Sequence, residues 1–266
     1  MKKFFYLALA LFFIKCSSSK QATTNRTISD AAQNYYTLQV YHLSNNDQLS
    51  LVENYLKSAW LPALHRNGIA HVGVFKPITN DTATDKKIVV FTPYTSLQQY
   101  ENMRQRLLTD ITLEQQTPAY VNAPYDSPPY SRYETILLHA FKDMPGTAVP
   151  QLKGAKKDRV YELRSYESPT EKMFVNKVHM FNEGGEVPLF KRLNFNAVFY
   201  ASVIAGAHMP NLMYMTSFEN MADREAHWKA FGDDPEWKTL SVKPEYQHNV
   251  SRNDILFLTP TDYSDF

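Results

Sequence analysis

Apolar and polar residues alternate along several short segments, and these segments return in the same order in the second half of the chain. The alternating segment at residues 36–41 returns at residues 161–166, and the apolar run at residues 88–92 returns at residues 212–216. The copies are about 125 residues apart, which is far longer than a solenoid repeat. Each copy is therefore long enough to form a small domain.

Alternation with a period of two predicts strands, and a period near 3.6 predicts helices. In the first copy the predicted strands lie at residues 36–41, 69–75, 87–91 and 133–141, and the predicted helices at residues 49–66 and 96–108. In the second copy the predicted strands lie at residues 160–166, 195–203, 212–218 and 254–258, and the helices begin after Ser168 and Asn220. Both copies thus have the order β-α-β-β-α-β, which is typical of ferredoxin-like domains.

The predicted strands are apolar on both faces, as at residues 212–215. A ferredoxin-like sheet carries helices on one face only, so its other face needs a cover. The other copy is the simplest cover. We therefore predict an α+β fold in which two tandem ferredoxin-like (βαββαβ) domains pack sheet to sheet within one chain as a sandwich or barrel.

The chain divides into six predicted segments. These are a leader at residues 1–16, a flexible linker at 17–33, a first domain at 34–142, an interdomain linker at 143–157, a second domain at 158–260 and a tail at 261–266. The interdomain linker is assigned from its prolines and glycines.

The start of the chain has the pattern of an export signal. Lys2 and Lys3 precede an unbroken apolar run at residues 4–14, which is too short to span a bilayer as a helix. Cys16 and a run of serines follow, as in a bacterial lipoprotein leader, although Lys15 stands where such leaders carry a small residue. We expect export to the cell envelope and anchoring in a periplasmic or outer membrane by a lipid on Cys16. The alternative is ordinary cleavage near residues 18–19.

Composition and charge exclude several kinds of function. The formal net charge is +1, and no concentrated basic stripe occurs, so we expect no nucleic-acid partner. Cys16 is the only cysteine, and its modification would leave no thiol for a disulfide, a nucleophile or a metal. The eight histidines form no zinc motif, and no glycine-rich phosphate loop or hydrolase signature occurs. We therefore expect no metal and no cofactor.

Several polar residues of the second copy are candidates for a ligand site. Glu162 and Arg164 are two apart on a strand and share a face, so they either bind a polar or anionic ligand or form an internal salt bridge. His208 lies in a hairpin loop, where it is either functional or an ordinary surface histidine. Tyr166 and Tyr200 complete the candidate lining of an aromatic space between the two sheets.

The second copy resembles the NIPSNAP family. The resemblance is carried by YELRSY at 161–166, MFNEGGE at 180–186, MPNLMYM at 209–215, FENMADRE at 218–225, and Phe231 with DPEW at 234–237. It covers about residues 158–260 and implies the dimeric α/β-barrel group, here formed within one chain. The first copy is similar in plan but lacks these motifs, so we expect it to be the scaffold half.

The resemblance implies little about chemistry. We expect an envelope protein that binds a small molecule or a partner. The alternative is a cofactor-independent monooxygenase or isomerase, as in related barrels, in which Arg164 would stabilise an oxyanion and His208 or Tyr166 would move a proton. A third hypothesis is a purely structural interaction module, which a filled interior and an exposed apolar patch would favour.

Overall fold

The computed structural model describes Met1 and residues 32–266. The predicted leader, the lipid-attachment residue Cys16 and most of the linker at 17–33 lie outside the described residues. Among residues that are described, no helix combines the length and the apolar character needed to cross a bilayer.

The described part of the first half contains four strands and the helices between them. Its strands are β1 (Tyr35–Leu43), β2 (Gly73–Pro77), β3 (Lys86–Tyr94) and β4 (Arg132–Ala140). Its helices are α1 (Asn46–Tyr55), a π-helical turn (Leu56–Trp60), α2 (Leu61–Arg66), α3 (Leu97–Leu108), α4 (Ile111–Gln116) and α5 (Pro118–Val121). The side chain of Ser96 caps α3 by accepting a hydrogen bond from the backbone N–H of Gln99, as the sequence predicts.

The second half repeats this plan. Its strands are β5 (Val160–Glu167), β6 (Phe199–Ala205), β7 (Asn211–Phe218) and β8 (Arg252–Pro260). Its helices are α6 (Glu171–Phe181), α7 (Glu186–Arg192), α8 (Met221–Asp233) and α9 (Pro235–Leu240). The predicted cap at Ser168 is wrong by two residues, because the hydroxyl of Thr170 accepts the hydrogen bond from the backbone N–H of Met173.

Two predicted strands begin later than the apolar pattern indicates. Ile69 and Phe195 are buried, yet each donates its backbone N–H to the end of the preceding helix, at Leu64 and Phe190 respectively. Their side chains therefore fill the core without joining the sheet. β2 begins only at Gly73 and β6 only at Phe199.

The strands of residues 35–260 close into one barrel in the order β1-β3-β2-β8-β5-β7-β6-β4. Each half contributes four neighbouring strands, which pair antiparallel. The halves meet at two seams, where β2 pairs with β8 and β4 pairs with β6. The predicted intrachain barrel is confirmed, and its two sheets are hydrogen-bonded edge to edge.

Aromatic side chains from both halves fill the barrel interior. Phe91 stacks on Phe199 with 5.0 Å between the ring centroids, and Tyr36 lies 5.4 Å from Phe199. All three residues are fully buried. The interior is therefore a packed core rather than a chamber, and it covers the apolar faces of both sheets.

The predicted tail is part of this core. The backbone N–H groups of Thr261 and Asp265 donate to the carbonyls of Val74 and Val72, and Phe266 is buried against Phe75 with 6.2 Å between their rings. A buried phenylalanine contributes about 1.5–3 kcal/mol. Residues 261–266 are therefore not a free tail.

Each half also has a second core between its sheet and its helices. In the first half this core includes Val52, Leu64 and Ile88, and in the second half it includes Phe181 and Phe190. These two sheet–helix layers differ in one important respect, because the first encloses a cavity beside its core and the second encloses a buried ionic cluster.

Candidate functional site

The predicted site residues of β5 face the helices and not the barrel interior. Side chains alternate along a strand, and Tyr161 and Leu163 belong to the interior core. Glu162, Arg164 and Tyr166 therefore lie on the opposite face, beneath α8. The interpretation that they line a space between the two sheets is wrong, since that space is packed and they point away from it.

Glu162 lies at the centre of a buried ionic cluster and is itself fully buried. Its carboxylate accepts hydrogen bonds from Arg164 Nε at 2.6 Å, Arg224 Nε at 2.9 Å and Trp228 Nε1 at 2.7 Å. Burial alone would raise the pKa of Glu162, but the Arg224 hydrogen bond and the Arg164 charge hold its pKa below the usual value. The carboxylate therefore stays charged at neutral pH.

Arg164 is enclosed by the same cluster. Its guanidinium carbon lies 3.7 Å from the ring centroid of Trp228, and its Nη1 donates to the Tyr166 hydroxyl at 3.0 Å. That hydroxyl also lies 2.9 Å from the Tyr214 hydroxyl. Glu162 and Arg164 thus bind each other and neighbouring side chains of the protein. This arrangement is the internal salt bridge that the sequence offers as the alternative to ligand binding.

The other two candidates lie apart from this cluster. Tyr200 is buried in the same aromatic layer, 5.5 Å from Tyr214, and it borders a separate cavity of about 380 Å³ beside α7. His208 is exposed on the β6–β7 hairpin, where its Nδ1 lies 3.2 Å from a carboxylate oxygen of Glu167. The structure therefore brings Glu162, Arg164 and Tyr166 together and leaves His208 outside.

A cavity of about 360 Å³ lies between the sheet and the helices of the first half. We call it the first-half chamber. Its floor includes Thr37, Gln39 and Thr135 on the outer face of β1 and β4, and exposed Arg104 and Leu108 of α3 lie at its rim. Its volume falls within the range of about 300–1,000 Å³ that small-molecule pockets occupy.

Tyrosine rings form most of the walls. Among the described residues the lining tyrosines are Tyr41, Tyr55, Tyr94, Tyr100, Tyr120, Tyr130 and Tyr133. Tyr55 and Tyr120 stack face to face, with 3.7 Å between centroids and an interplanar angle of 4°. Tyr130 packs edge-on against Tyr41 and Tyr133. These contacts hold flat aromatic surfaces in fixed orientations along the chamber.

Two polar groups of the lining have no hydrogen-bond partner in the described part of the chain. The indole N–H of Trp60 is buried and unpaired. The side-chain amide of Gln39, which is half-buried, also forms no hydrogen bond among residues 32–266. A buried unpaired donor costs about 1–3 kcal/mol. The Gln39 amide is therefore available to a ligand in the chamber, whereas the Trp60 indole nitrogen has no surface open to it.

Trp60 reaches the chamber because the first helix widens by one π-helical turn. Pro62 has no N–H to continue the regular helical ladder, and the backbone N–H of Leu61 bonds instead to the carbonyl of Leu56, five residues earlier. Such π-turns occur often at functional sites. This turn presents Tyr55 and Trp60 to the same cavity.

Four buried tyrosines of the lining remain protonated at neutral pH. Burial raises the pKa of Tyr94 to about 12, and it raises the pKa of Tyr41, Tyr55 and Tyr120 further above the usual range. No histidine or carboxylate is among the described residues that line the chamber. The chamber therefore offers stacking surfaces and neutral hydrogen-bonding groups, and its lining contains no base that works at neutral pH.

The second half matches the NIPSNAP family model at residues 161–265. Residues 161–265 form a NIPSNAP domain. The match confirms the resemblance of the second copy, and the model does not extend into the first half. The ionic cluster thus belongs to the NIPSNAP domain, whereas the chamber lies in the half that carries none of the family's motifs.

Two solved structures match most of the chain and share its barrel fold, and a third matches less than half of the chain. A candidate monooxygenase from Lactobacillus acidophilus matches with a TM-score of 0.55 at 10% identity, over 86% of this chain and 94% of its own. A candidate monooxygenase from Fusobacterium nucleatum matches with a TM-score of 0.55 at 6% identity, over 86% and 93%. A NIPSNAP family protein from Agrobacterium tumefaciens matches with a TM-score of 0.37 at 18% identity, over 44% and 98%. A search of functionally curated proteins finds no match.

Sequence motifs do not predict the chamber residues, because the motifs that carry the NIPSNAP resemblance all lie in the second half. Tyr120, Tyr130 and Tyr133 fall in or beside a segment that the sequence marks as a connection rich in proline and tyrosine. Large aromatic residues in a polar connection are a usable signal, because loops that carry function often display such side chains. No sequence pattern at Gln39 indicates a binding role.

Proposed function

We propose that this protein binds a flat aromatic compound with a hydrogen-bonding group in the first-half chamber. The observation that supports the proposal is a tyrosine-lined cavity of about 360 Å³ in which the side-chain amide of Gln39 is unpaired. We further propose that binding takes place outside the cytoplasm, because Lys2, Lys3 and the apolar run at 4–14 are typical of an export leader.

Each part of the lining has a role in such binding. The stacked pair of Tyr55 and Tyr120 offers ring faces and edges, which attract another aromatic ring by offset or edge-on packing. Trp60 contributes apolar ring surface to the lining, and the Gln39 amide both donates and accepts hydrogen bonds. Because burial keeps Tyr41, Tyr55, Tyr94 and Tyr120 protonated, we expect binding not to depend on the ionisation of these four hydroxyls between about pH 6 and 9.

The flatness of the ligand can be tested with two compounds of the same carbon skeleton. We expect 2-naphthol to bind at least about tenfold more tightly than decahydro-2-naphthol, which keeps the hydroxyl but has no aromatic face to stack. We expect Gln39→Leu to weaken 2-naphthol binding by about three- to tenfold, the effect of one hydrogen bond. Isothermal titration calorimetry measures both differences.

Gln116→Leu is the matched control, since Gln116 is exposed on α4 and does not line the chamber. It should leave the affinity for 2-naphthol unchanged. Equal affinity for the two compounds would show that the chamber does not select aromatic rings. An absence of binding to either compound would contradict the proposal as a whole.

A second candidate function is cofactor-independent oxygenation of an aromatic ligand in the same chamber. The observation in its favour is the shared fold of the two candidate monooxygenases, each matched over most of this chain. In such a step an anthrone methylene would become a carbonyl, the substrate would supply four electrons, and O₂ would provide the carbonyl oxygen and one water. Oxygen uptake with 1,8-dihydroxyanthrone that falls in Gln39→Leu would support catalysis, and uptake at the uncatalysed rate would leave binding alone.

A further inference from the structure

A second cavity adjoins the first-half chamber. It has a volume of about 510 Å³ and runs along α4 and α5; we call it the α4–α5 groove. The chamber and the groove share Tyr55, Leu107, Leu108, Tyr120 and Tyr130 as lining residues. The chamber and the groove therefore adjoin along one shared wall, and exposed Leu108 borders both.

The groove presents exposed apolar side chains. Leu108, Ile111 and Val121 are 70%, 64% and 44% exposed, and all three line it. Single exposed hydrophobic residues are ordinary on protein surfaces, but a contiguous set beside a cavity is typical of a binding groove.

The two carboxylates of the groove already have partners. Asp110 accepts a hydrogen bond from Arg66 Nη2 at 3.2 Å, and Glu114 accepts one from Asn122 Nδ2 at 3.0 Å. The remaining described lining is apolar or aromatic apart from Thr109. The mainly apolar lining therefore favours an apolar occupant, and the charge of Asp110 is offset by Arg66.

The cavities described in the second half do not adjoin in this way. The cavity of about 380 Å³ beside α7 and the cavity of about 490 Å³ beside α9 have no lining residue in common. The adjoining chamber and groove thus distinguish the first half.

We propose that the ligand is an amphipathic aromatic compound, with its flat ring in the first-half chamber and an alkyl chain in the α4–α5 groove. This inference rests on the proposed function and adds the class of ligand to it. The shared lining of the two cavities supports a single occupant, because a chain that leaves the chamber past exposed Leu108 enters the groove next to the same residues, Tyr55 and Tyr120.

A homologous series of 6-alkyl-2-naphthols tests the chain, with 2-naphthol, the butyl and the octyl compounds titrated below their aggregation concentrations. Each buried methylene should tighten binding by up to about fourfold. In the double variant Ile111→Ser/Val121→Ser the affinity should no longer rise with chain length, so that the octyl compound and 2-naphthol bind within about twofold of each other. Val242→Ser is the matched control, since Val242 is 70% exposed in the second half and should keep the full series.

The outcomes separate the two proposals. If 2-naphthol binds and the chain adds no affinity, the inference about the groove is wrong while the proposed function stands. If no member of the series binds, the proposed function itself fails. If the octyl compound binds as tightly after Gln39→Leu and the double serine change as before, it adheres elsewhere. Binding to vesicles of neutral phospholipid that the double change abolishes, without any response to the naphthols, would instead indicate a membrane surface.

Discussion

The two halves of the barrel share one plan but fill the space between sheet and helices differently. At matched positions, Thr37 and Gln39 on β1 correspond to Glu162 and Arg164 on β5. The first pair is neutral and borders a cavity, whereas the second pair is charged and closes a salt bridge. The charged pair and its partners thus fill the place that corresponds to the chamber over the neutral pair.

The helices above these strands show the same contrast. Arg104 of α3 and Trp228 of α8 are each eight residues after the N-cap of their helix, so they occupy matched places. Arg104 is exposed and pairs with Glu101 on its own helix. Trp228 packs on Arg164 and donates to Glu162. The residues that mark the NIPSNAP domain therefore include those that fill its layer, and they do not mark an open site.

The largest effect should come from removing the charge of Glu162. Glu162→Gln leaves the guanidinium groups of Arg164 and Arg224 without their buried counter-charge. Breaking a buried ion pair in this way costs about 3–5 kcal/mol of the free energy of unfolding. Urea unfolding at pH 7 measures the loss.

Glu225→Gln is the control, because Glu225 pairs with the same Arg224 at 2.8 Å but is exposed. It should change the free energy of unfolding by less than about 1 kcal/mol. A loss of that small size in Glu162→Gln as well would mean that water reaches the cluster, and the contrast between the halves would be weaker than the geometry indicates.

A smaller effect, and the sharpest test of the comparison, should come from opening the second layer. Trp228→Ala removes the ring that covers Arg164 and should cost about 3 kcal/mol. It should also create a second chamber, in which Arg164 faces the ligand ring and Glu162 accepts the ligand hydroxyl. Calorimetry with 2-naphthol should then show two equivalents bound per chain in place of one.

Trp237→Ala controls for the loss of a large ring in the same aromatic layer. Trp237 packs on Phe231 with 4.4 Å between centroids and does not contact Glu162. The change should destabilise the protein, yet the stoichiometry should stay at one. Two equivalents in this variant would show that any defect in the layer admits the ligand.

The sequence predicted the fold more fully than the site, and the reason is physical. Alternating apolar positions such as those of β7, which is buried throughout, report burial on both faces, and burial was enough to predict the barrel. Which face Glu162 points to depends on strand register, and a shift of one residue would reverse it. The chamber depends on side chains from three separate helical segments, including a π-helical turn that no local propensity specifies. A cavity between packed side chains produces no regular spacing of apolar residues, so the sequence pattern does not reveal it.

The smallest predicted effect is the response of the ionic cluster to acid. The folded state holds the pKa of Glu162 below its usual value, which is about 4.3 in an unfolded chain. The stability from this group is therefore fully present above that value and is lost as the pH falls through the folded-state pKa. Wild-type protein should lose more stability than Glu162→Gln between about pH 5 and 3 in urea unfolding, because only the wild type carries this carboxylate. Equal losses would show that the other carboxylates account for the acid response, and that the charge at Glu162 does not distinguish the filled half from the open one.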